Sequence, residues 1–226
     1  MTAPRYGVVL FDLDGTLTDP GRGIAASVRF ALERLGEPVP DPARLRAFVG
    51  PPLLESFRRL CGLDESRARQ ALAAYREYFA ERGLYENEVY PGIPALLSGL
   101  AARGGCCVVA TSKPTAYAER ILEHFGLRGP FHAVVGTRLE DPHATKADVV
   151  REALTRLPNG LGQRAALVGD REHDVRGARA NGIDSIAVGY GYGSPEEVRA
   201  AGPTFQVDTV PELASLLLDG KIRVDA

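Results

Sequence analysis

Val8-Val9-Leu10-Phe11-Asp12-Leu13-Asp14-Gly15-Thr16-Leu17-Thr18 is the stretch that decides how this chain is read. Its apolar first half has the character of a short buried strand, and it stops abruptly in two aspartates, a glycine and a threonine. Side chains alternate along an extended backbone, so Asp12 and Asp14 are expected on one side, with Gly15 letting the chain turn away. Alone, the Asp-x-Asp-Gly pattern is equally a strand followed by an Asx-type turn. Three other stretches tip the balance. Thr111-Ser112-Lys113 follows a strand expected over Cys106–Ala110, Gly169-Asp170 follows one over Ala165–Val168, and Lys146 opens a helix after one over Ala133–Gly136. In an open parallel sheet, ligands bind beyond the carboxyl ends of the strands, so these segments are expected to meet Asp12 there.

From Pro91-Gly92 onward helical and strand periods alternate, the mark of βαβ units and of an α/β fold built on a parallel sheet. Between about residues 18 and 90 the pattern is helical, with no convincing strand. Asp19-Pro20, Asp41-Pro42 and Asp64 read as helix starts, Gly36 and Gly83 as stops, and Gly50-Pro51-Pro52 as a break. The expected organisation is a core over residues 1–17 and 91–226 with a helical insertion over 18–90.

Composition narrows the function classes. The 226 residues carry a formal net charge of −2 without long charged blocks, which recommends neither nucleic acid nor an anionic membrane as partner. No apolar run approaches the roughly 20 residues that span a bilayer, and Met1–Tyr6 reads as too short for a signal peptide, so the expected location is cytoplasmic. The three cysteines, Cys61, Cys106 and Cys107, show neither a disulfide framework nor metal-type spacing. Arginine supplies 24 of the 27 basic residues, and the only lysines are Lys113, Lys146 and Lys221. In such a chain each lysine marks a place where a compact ammonium is wanted.

Gly169-Asp170-Arg171-Glu172-His173-Asp174 passes from strand to helix, with Asp174 one turn beyond Asp170. Acids here also serve simply to stabilise a helix N-terminus. Together with Asp12 and Asp14, however, they make four carboxylates in one small volume, repelling by roughly 4 kcal/mol per pair at 4 Å and an effective dielectric of 20. Such a group demands a cation. Oxygen-only donors favour Mg²⁺, and a metal and a lysine beside a free carboxylate suit phosphoryl transfer.

Phe11-Asp12-Leu13-Asp14-Gly15-Thr16, the strand-terminal Thr111, Lys146 and Gly169-Asp170-Arg171-Glu172-His173-Asp174, in that order, resemble the four motifs of the haloacid dehalogenase superfamily. Val168–Ile183 and the later Gly189-Tyr190-Gly191-Tyr192-Gly193-Ser194 are similar to phosphoglycolate phosphatase and 5′-nucleotidase-like members. The resemblance implies a Rossmann-like core with an inserted helical cap. It implies an Mg²⁺-dependent phosphatase acting on a small phosphorylated metabolite, with Asp12 as nucleophile and Asp14 as acid, then base. Thr111 would bond the transferring phosphoryl group, Lys146 would neutralise its charge, and Ser112 and backbone N–H groups at Asp14-Gly15 would add substrate contacts. The metal would lie on Asp12, the carbonyl of Asp14, and Asp170, with Asp174 direct or through water.

Lys146 lies in Ala144-Thr145-Lys146-Ala147 rather than in the superfamily's common Lys-Pro context, which makes Lys113 a competitor for its role. Lys146 is preferred, because Lys113 is expected to turn into the next helix. The second acid, Asp14, argues against a dehalogenase, and the lysine-free insertion against a Schiff-base phosphonate hydrolase. A phosphotransferase, a sugar-phosphate mutase and a catalytically silent scaffold are the remaining alternatives.

Overall fold

The computed structural model describes residues 4–138, 144–157 and 164–219, so Lys221 lies outside the described residues. The chain divides into two compact units, one formed by Met1–Thr18 with Val89–Ala226 and the other by Asp19–Glu88.

The first unit is built on a six-stranded sheet in the order β5-β4-β1-β6-β7-β8, with every neighbour parallel. Its strands are β1 (Val8–Phe11), β4 (Cys106–Pro114), β5 (Phe131–Thr137), β6 (Ala165–Gly169), β7 (Asp184–Val188) and β8 (Phe205–Val207). β1 is central and wholly buried, as a parallel strand covered on both faces must be. Between the strands run α5 (Ile93–Ala102), α6 (Thr115–His124), α7 (Lys146–Thr155), α8 (Glu172–Ala180) and α9 (Pro195–Ala201). On one face Val8, Leu10, Val108, Ala110, Val135 and Leu167 pack with Val149, Val150 and Ala153 of α7 and Ala178 of α8. α10 (Val210–Ala214) runs on into a π-helical turn over Ser215–Asp219.

Register is what places the site. Phe11 pairs with Val109 on one side and Val168 on the other, so Asp12, Ala110 and Gly169 lie side by side at the carboxyl end of β1. The expected segments therefore do meet at the carboxyl edge.

β4 departs from expectation. It was expected to end at Ala110, with Thr111-Ser112-Lys113 beyond it, but the strand continues to Pro114. Ala110 pairs with Val135 and Pro114 with Thr137, so β4 carries a bulge across these polar residues. A bulge re-aims side chains. Thr111 and Lys113 are buried and Ser112 between them is exposed.

The second unit holds α1 (Gly21–Leu35), α2 (Pro42–Arg46), α3 (Leu53–Cys61) and α4 (Glu65–Tyr78), the last continuing into a π-helical turn over Phe79–Gly83. Asp41 and Asp64 cap α2 and α4 by accepting from Arg44 and Arg67 N–H at 2.9 and 2.8 Å. Asp19 instead accepts from Gly21 N–H ahead of α1, whose N-cap is Pro20. Phe48, Phe57, Tyr75 and Phe79 form a chain of ring contacts. Two-residue strands, β2 (Thr18–Asp19) and β3 (Glu88–Val89), pair where the chain passes between the units, in a region expected to hold no strand. Among the described residues no helix is long and apolar enough to cross a membrane.

Candidate active site

Asp12 is the first residue past β1, and its N–H is tied to Val168 O at 2.9 Å, which fixes it against β6. Lys146 reaches it from the first turn of α7. That helix is started by Thr145 in a capping box with Asp148, so the lysine's backbone is well anchored. A cation at a helix N-terminus opposes the helix dipole, and nearby carboxylates must offset it. The Lys146 Nζ lies 2.8 Å from Asp12 Oδ1, 2.8 Å from Asp174 Oδ1 and 2.9 Å from Ala110 O. An ammonium has three donors, and all three are engaged. Burial works against the charged form, yet the Asp12 and Asp174 carboxylates hold the Lys146 ammonium above its usual pKa.

Asp174 occupies the third position of α8, and its other oxygen accepts from Arg171 N–H at 3.1 Å. It is thus both a helix cap and a member of the site. Asp170, at the end of β6, is 1% exposed and receives Tyr192 N–H on Oδ2 at 2.7 Å. Its Oδ1 is buried with no hydrogen-bond partner. Burial, with the nearby Asp174 and Asp12 carboxylates, pushes Asp170 up to about 8.

Asp14 lies apart from this trio. Its Oδ2 is 2.9 Å from the Nζ of Lys113, brought there by the β4 bulge. Burial raises its pKa, against the lowering pull of Lys113. The expectation of four clustered carboxylates is therefore corrected to three, Asp12, Asp170 and Asp174, each offering an oxygen within 4.8 Å of the others, with the Asp14 carboxylate turned to a lysine. The expectation that Lys113 turns away into the next helix is corrected too. Both lysines enter the site, each on a different acid.

Thr111 Oγ1 accepts from Lys113 N–H at 3.2 Å, which leaves the hydroxyl proton to donate. Ser112 has an exposed side chain, and its carbonyl accepts from Thr137 Oγ1. Gly15 differs from expectation. Its N–H is used within the turn, donating to Thr18 O at 2.8 Å, and is not presented to a ligand. What Gly15 supplies is room and a left-handed backbone: φ is +82°, and a Cβ there would fall 2.3 Å from Asp170 Oδ2.

A cation fits this donor set. Three carboxylates against the Lys146 ammonium leave two negative charges when all are ionised, the donors are oxygens, and Asp170 Oδ1 is a buried acceptor without a donor. A hard divalent ion suits such a site.

Residues 9–188 match the family of haloacid dehalogenase-like hydrolases. The chain belongs to that family. Among curated relatives, it is 47% identical to a 5′-nucleotidase of Pseudomonas aeruginosa over 95% of this chain and 97% of the other. It is 42% identical to the tyrosine-protein kinase PtkA of Mycobacterium tuberculosis over 93% of this chain and 72% of that protein. Among solved structures, a predicted phosphatase from Clostridium acetobutylicum superposes with a TM-score of 0.85 at 46% identity, over 95% and 99% of the two chains. Within the haloacid dehalogenase-like hydrolases, this chain is an enzyme of the phosphoric monoester hydrolase class. Sequence reasoning used Gly189–Ser194 only as a mark of resemblance. In this family member the same stretch donates to Asp170. The signal available was a glycine–tyrosine alternation directly after a strand, at the sheet edge where the acids lie.

Proposed function

We propose that this protein is an Mg²⁺-dependent phosphatase that hydrolyses a small phosphomonoester, of the phosphoglycolate or nucleoside 5′-monophosphate kind, through an aspartyl phosphate. The observation that carries the reading is Asp12, held at the end of the central strand by Lys146, beside the unpartnered Oδ1 of Asp170. A carboxylate oxygen of Asp12 attacks phosphorus as the bond to the leaving oxygen breaks, and the Asp14 proton passes to that oxygen. Burial favours the protonated form of Asp14 that this step needs. Water then attacks the aspartyl phosphate, Asp14 takes the water's proton, and cleavage of the phosphorus–oxygen bond to Asp12 releases phosphate and restores the carboxylate. The Thr111 hydroxyl donates to a phosphoryl oxygen, and Lys146 orients the nucleophile. Asp12, Asp170 and the carbonyl of Asp14 would hold Mg²⁺, with Asp174 direct or through water, and the ion supplies charge stabilisation at the phosphoryl oxygens.

The identity to a tyrosine-protein kinase supports a second reading, in which a protein hydroxyl replaces water as acceptor. The two differ in product and share the first step. Unbridged Cys61, Cys106 and Cys107 accord with a cytoplasmic location for either reading.

Phosphate release from a panel of small esters, with and without chelator, is the test. Release should require Mg²⁺ and should vanish in Asp12→Asn, whose amide is near-isosteric but not nucleophilic. Undiminished turnover in excess chelator sinks the metal assignment. Near-normal kcat in Asp12→Asn sinks the covalent mechanism. Transfer of the phosphoryl group to a tyrosine peptide in place of release to water selects the second reading.

A further inference from the structure

Gly189-Tyr190-Gly191-Tyr192-Gly193-Ser194 follows β7 and contributes no group to the chemistry above, yet it touches two of the segments that build the site. Tyr192 N–H donates to Asp170 Oδ2 at 2.7 Å. Tyr190 Oη donates to Thr16 O at 3.0 Å, in the turn that carries Asp14. Gly191 lies between these contacts, where a Cβ would fall 2.4 Å from the Asp170 Cβ and 2.5 Å from Gly15 O. Its backbone is outside the left-handed region, so glycine is needed there for space and not for conformation. Gly193 is equally close, a Cβ there falling 1.9 Å from Asp170 O. The Tyr190 ring is held at its edge by Tyr90, with centroids 4.8 Å apart.

Because one oxygen of a carboxylate is fixed by a short backbone hydrogen bond, the direction of the other is fixed as well. We infer that the Gly189–Ser194 loop is a positioning element: by holding Oδ2 of Asp170 and pinning itself to the turn after Asp14, it aims Oδ1 of Asp170 into the carboxylate cluster and sets how tightly a divalent cation is bound. This rests on the reading of the site as a metal site. Tyr190 and Gly191 act through Asp170 and the Asp14 turn. Outer partners that orient a metal ligand typically contribute about 10–100-fold to metal affinity. Such a role predicts a defect in cation binding that excess cation repairs.

The test titrates metal-free wild type, Tyr190→Phe and Gly191→Ala with Mn²⁺, reading the free ion by electron paramagnetic resonance, with thermal unfolding as the check on folding. Tyr190→Phe removes only the hydroxyl that reaches Thr16. The expected result is Mn²⁺ binding to wild type and a dissociation constant raised about 10-fold or more in Gly191→Ala, with a smaller rise in Tyr190→Phe. In turnover, the Mg²⁺ concentration for half-maximal rate should rise in the same order, while kcat at saturating Mg²⁺ returns towards wild type and KM for the ester is unmoved. Unchanged Mn²⁺ constants in the folded variants, or a kcat loss that saturating metal does not repair, overturn the inference while leaving the metal site standing. If Gly191→Ala does not fold, Tyr190→Phe decides alone, a wild-type constant counting against. A wild type that binds no Mn²⁺ overturns the metal reading and this inference with it.

Discussion

Lys146 has no donor to spare. Its three contacts are to Asp12, Asp174 and Ala110 O, so its work is to hold the nucleophile and to keep positive charge beside it. Lys146→Met leaves two buried carboxylates without their cation and should lower kcat by roughly 10²–10³, the usual cost of deleting one pre-organised electrostatic group. Lys146→Arg should not restore it, since a planar guanidinium cannot place three donors as the ammonium does. Lys113 belongs to the other acid, 2.9 Å from Asp14. Burial raises the Asp14 pKa and Lys113 is the main group lowering it, so Lys113→Met removes most of the opposition to burial and the pKa rises further. Where hydrolysis of the aspartyl phosphate limits turnover, Asp14 must act ionised, and the ascending limb of the pH–rate profile should move to higher pH. Lys146→Met should lower the plateau and displace the limb less than Lys113→Met does, because Lys146 also lowers the Asp14 pKa but more weakly than Lys113. The comparison is one ester at saturating Mg²⁺, with both variants checked for folding. A Lys113→Met profile superimposable on wild type removes Lys113 from the chemistry.

At the scale of elements, the strands were legible where apolar runs end in polar residues, as in β1 and β6, because a parallel sheet buried on both faces leaves no alternation to confuse the pattern. Asp12 and Asp170 were legible for the same reason, each sitting at an abrupt boundary, whereas Lys146 was legible because lysine is scarce in this chain and this one opens a helix. The extension of β4 was not. Thr111-Ser112-Lys113 has the polarity of a loop, and only the bulge against β5 keeps it in the sheet and brings Lys113 onto Asp14. The π-helical turn at Phe79–Gly83 was hidden because the helical period runs through it unbroken. Another pairing beyond sequence reach ties α8 to α9. Glu197 Oε1 accepts from Arg171 Nε at 2.8 Å and from Glu172 N–H at 3.0 Å. Burial alone would raise the Glu197 pKa, but the hydrogen bonds from Arg171 and Glu172 hold it below its ordinary 4.5. A depressed folded pKa means a stabilising contribution that is present above the unfolded value and lost as pH falls through the folded one. Glu197→Gln should therefore unfold at a lower temperature than wild type near neutrality, and the gap should close as pH is taken below 4.5. A gap that persists in acid assigns the loss to packing.

At the scale of the molecule, chemistry and selectivity are proposed to reside in different units. All of Asp12, Asp14, Thr111, Lys113, Lys146, Asp170 and Asp174 belong to the unit of Met1–Thr18 with Val89–Ala226. The unit of Asp19–Glu88 has no lysine and holds itself together: Arg67 donates to Glu37 Oε1 at 2.7 and 3.0 Å and to Leu35 O at 2.9 Å, joining the end of α1 to the start of α4. Substitutions within it should thus leave the phosphoryl-transfer machinery intact and alter which ester is accepted. The break at Gly50-Pro51-Pro52-Leu53 is the place to look. Gly50 itself is a poor probe, because its φ of +103° makes any side chain there strained. Pro51 and Leu53 are half-buried and free of that fault. Pro51→Ala and Leu53→Ala should change the ratio of kcat/KM between phosphoglycolate and a nucleoside 5′-monophosphate by about 10-fold, the scale set by a few methylenes in a selective pocket. A generic aryl phosphate, which asks little of a selective surface, should be turned over nearly as before. Equal loss on all three esters would instead mark a folding defect, and selectivity would then have to be sought in the residues that carry out the reaction.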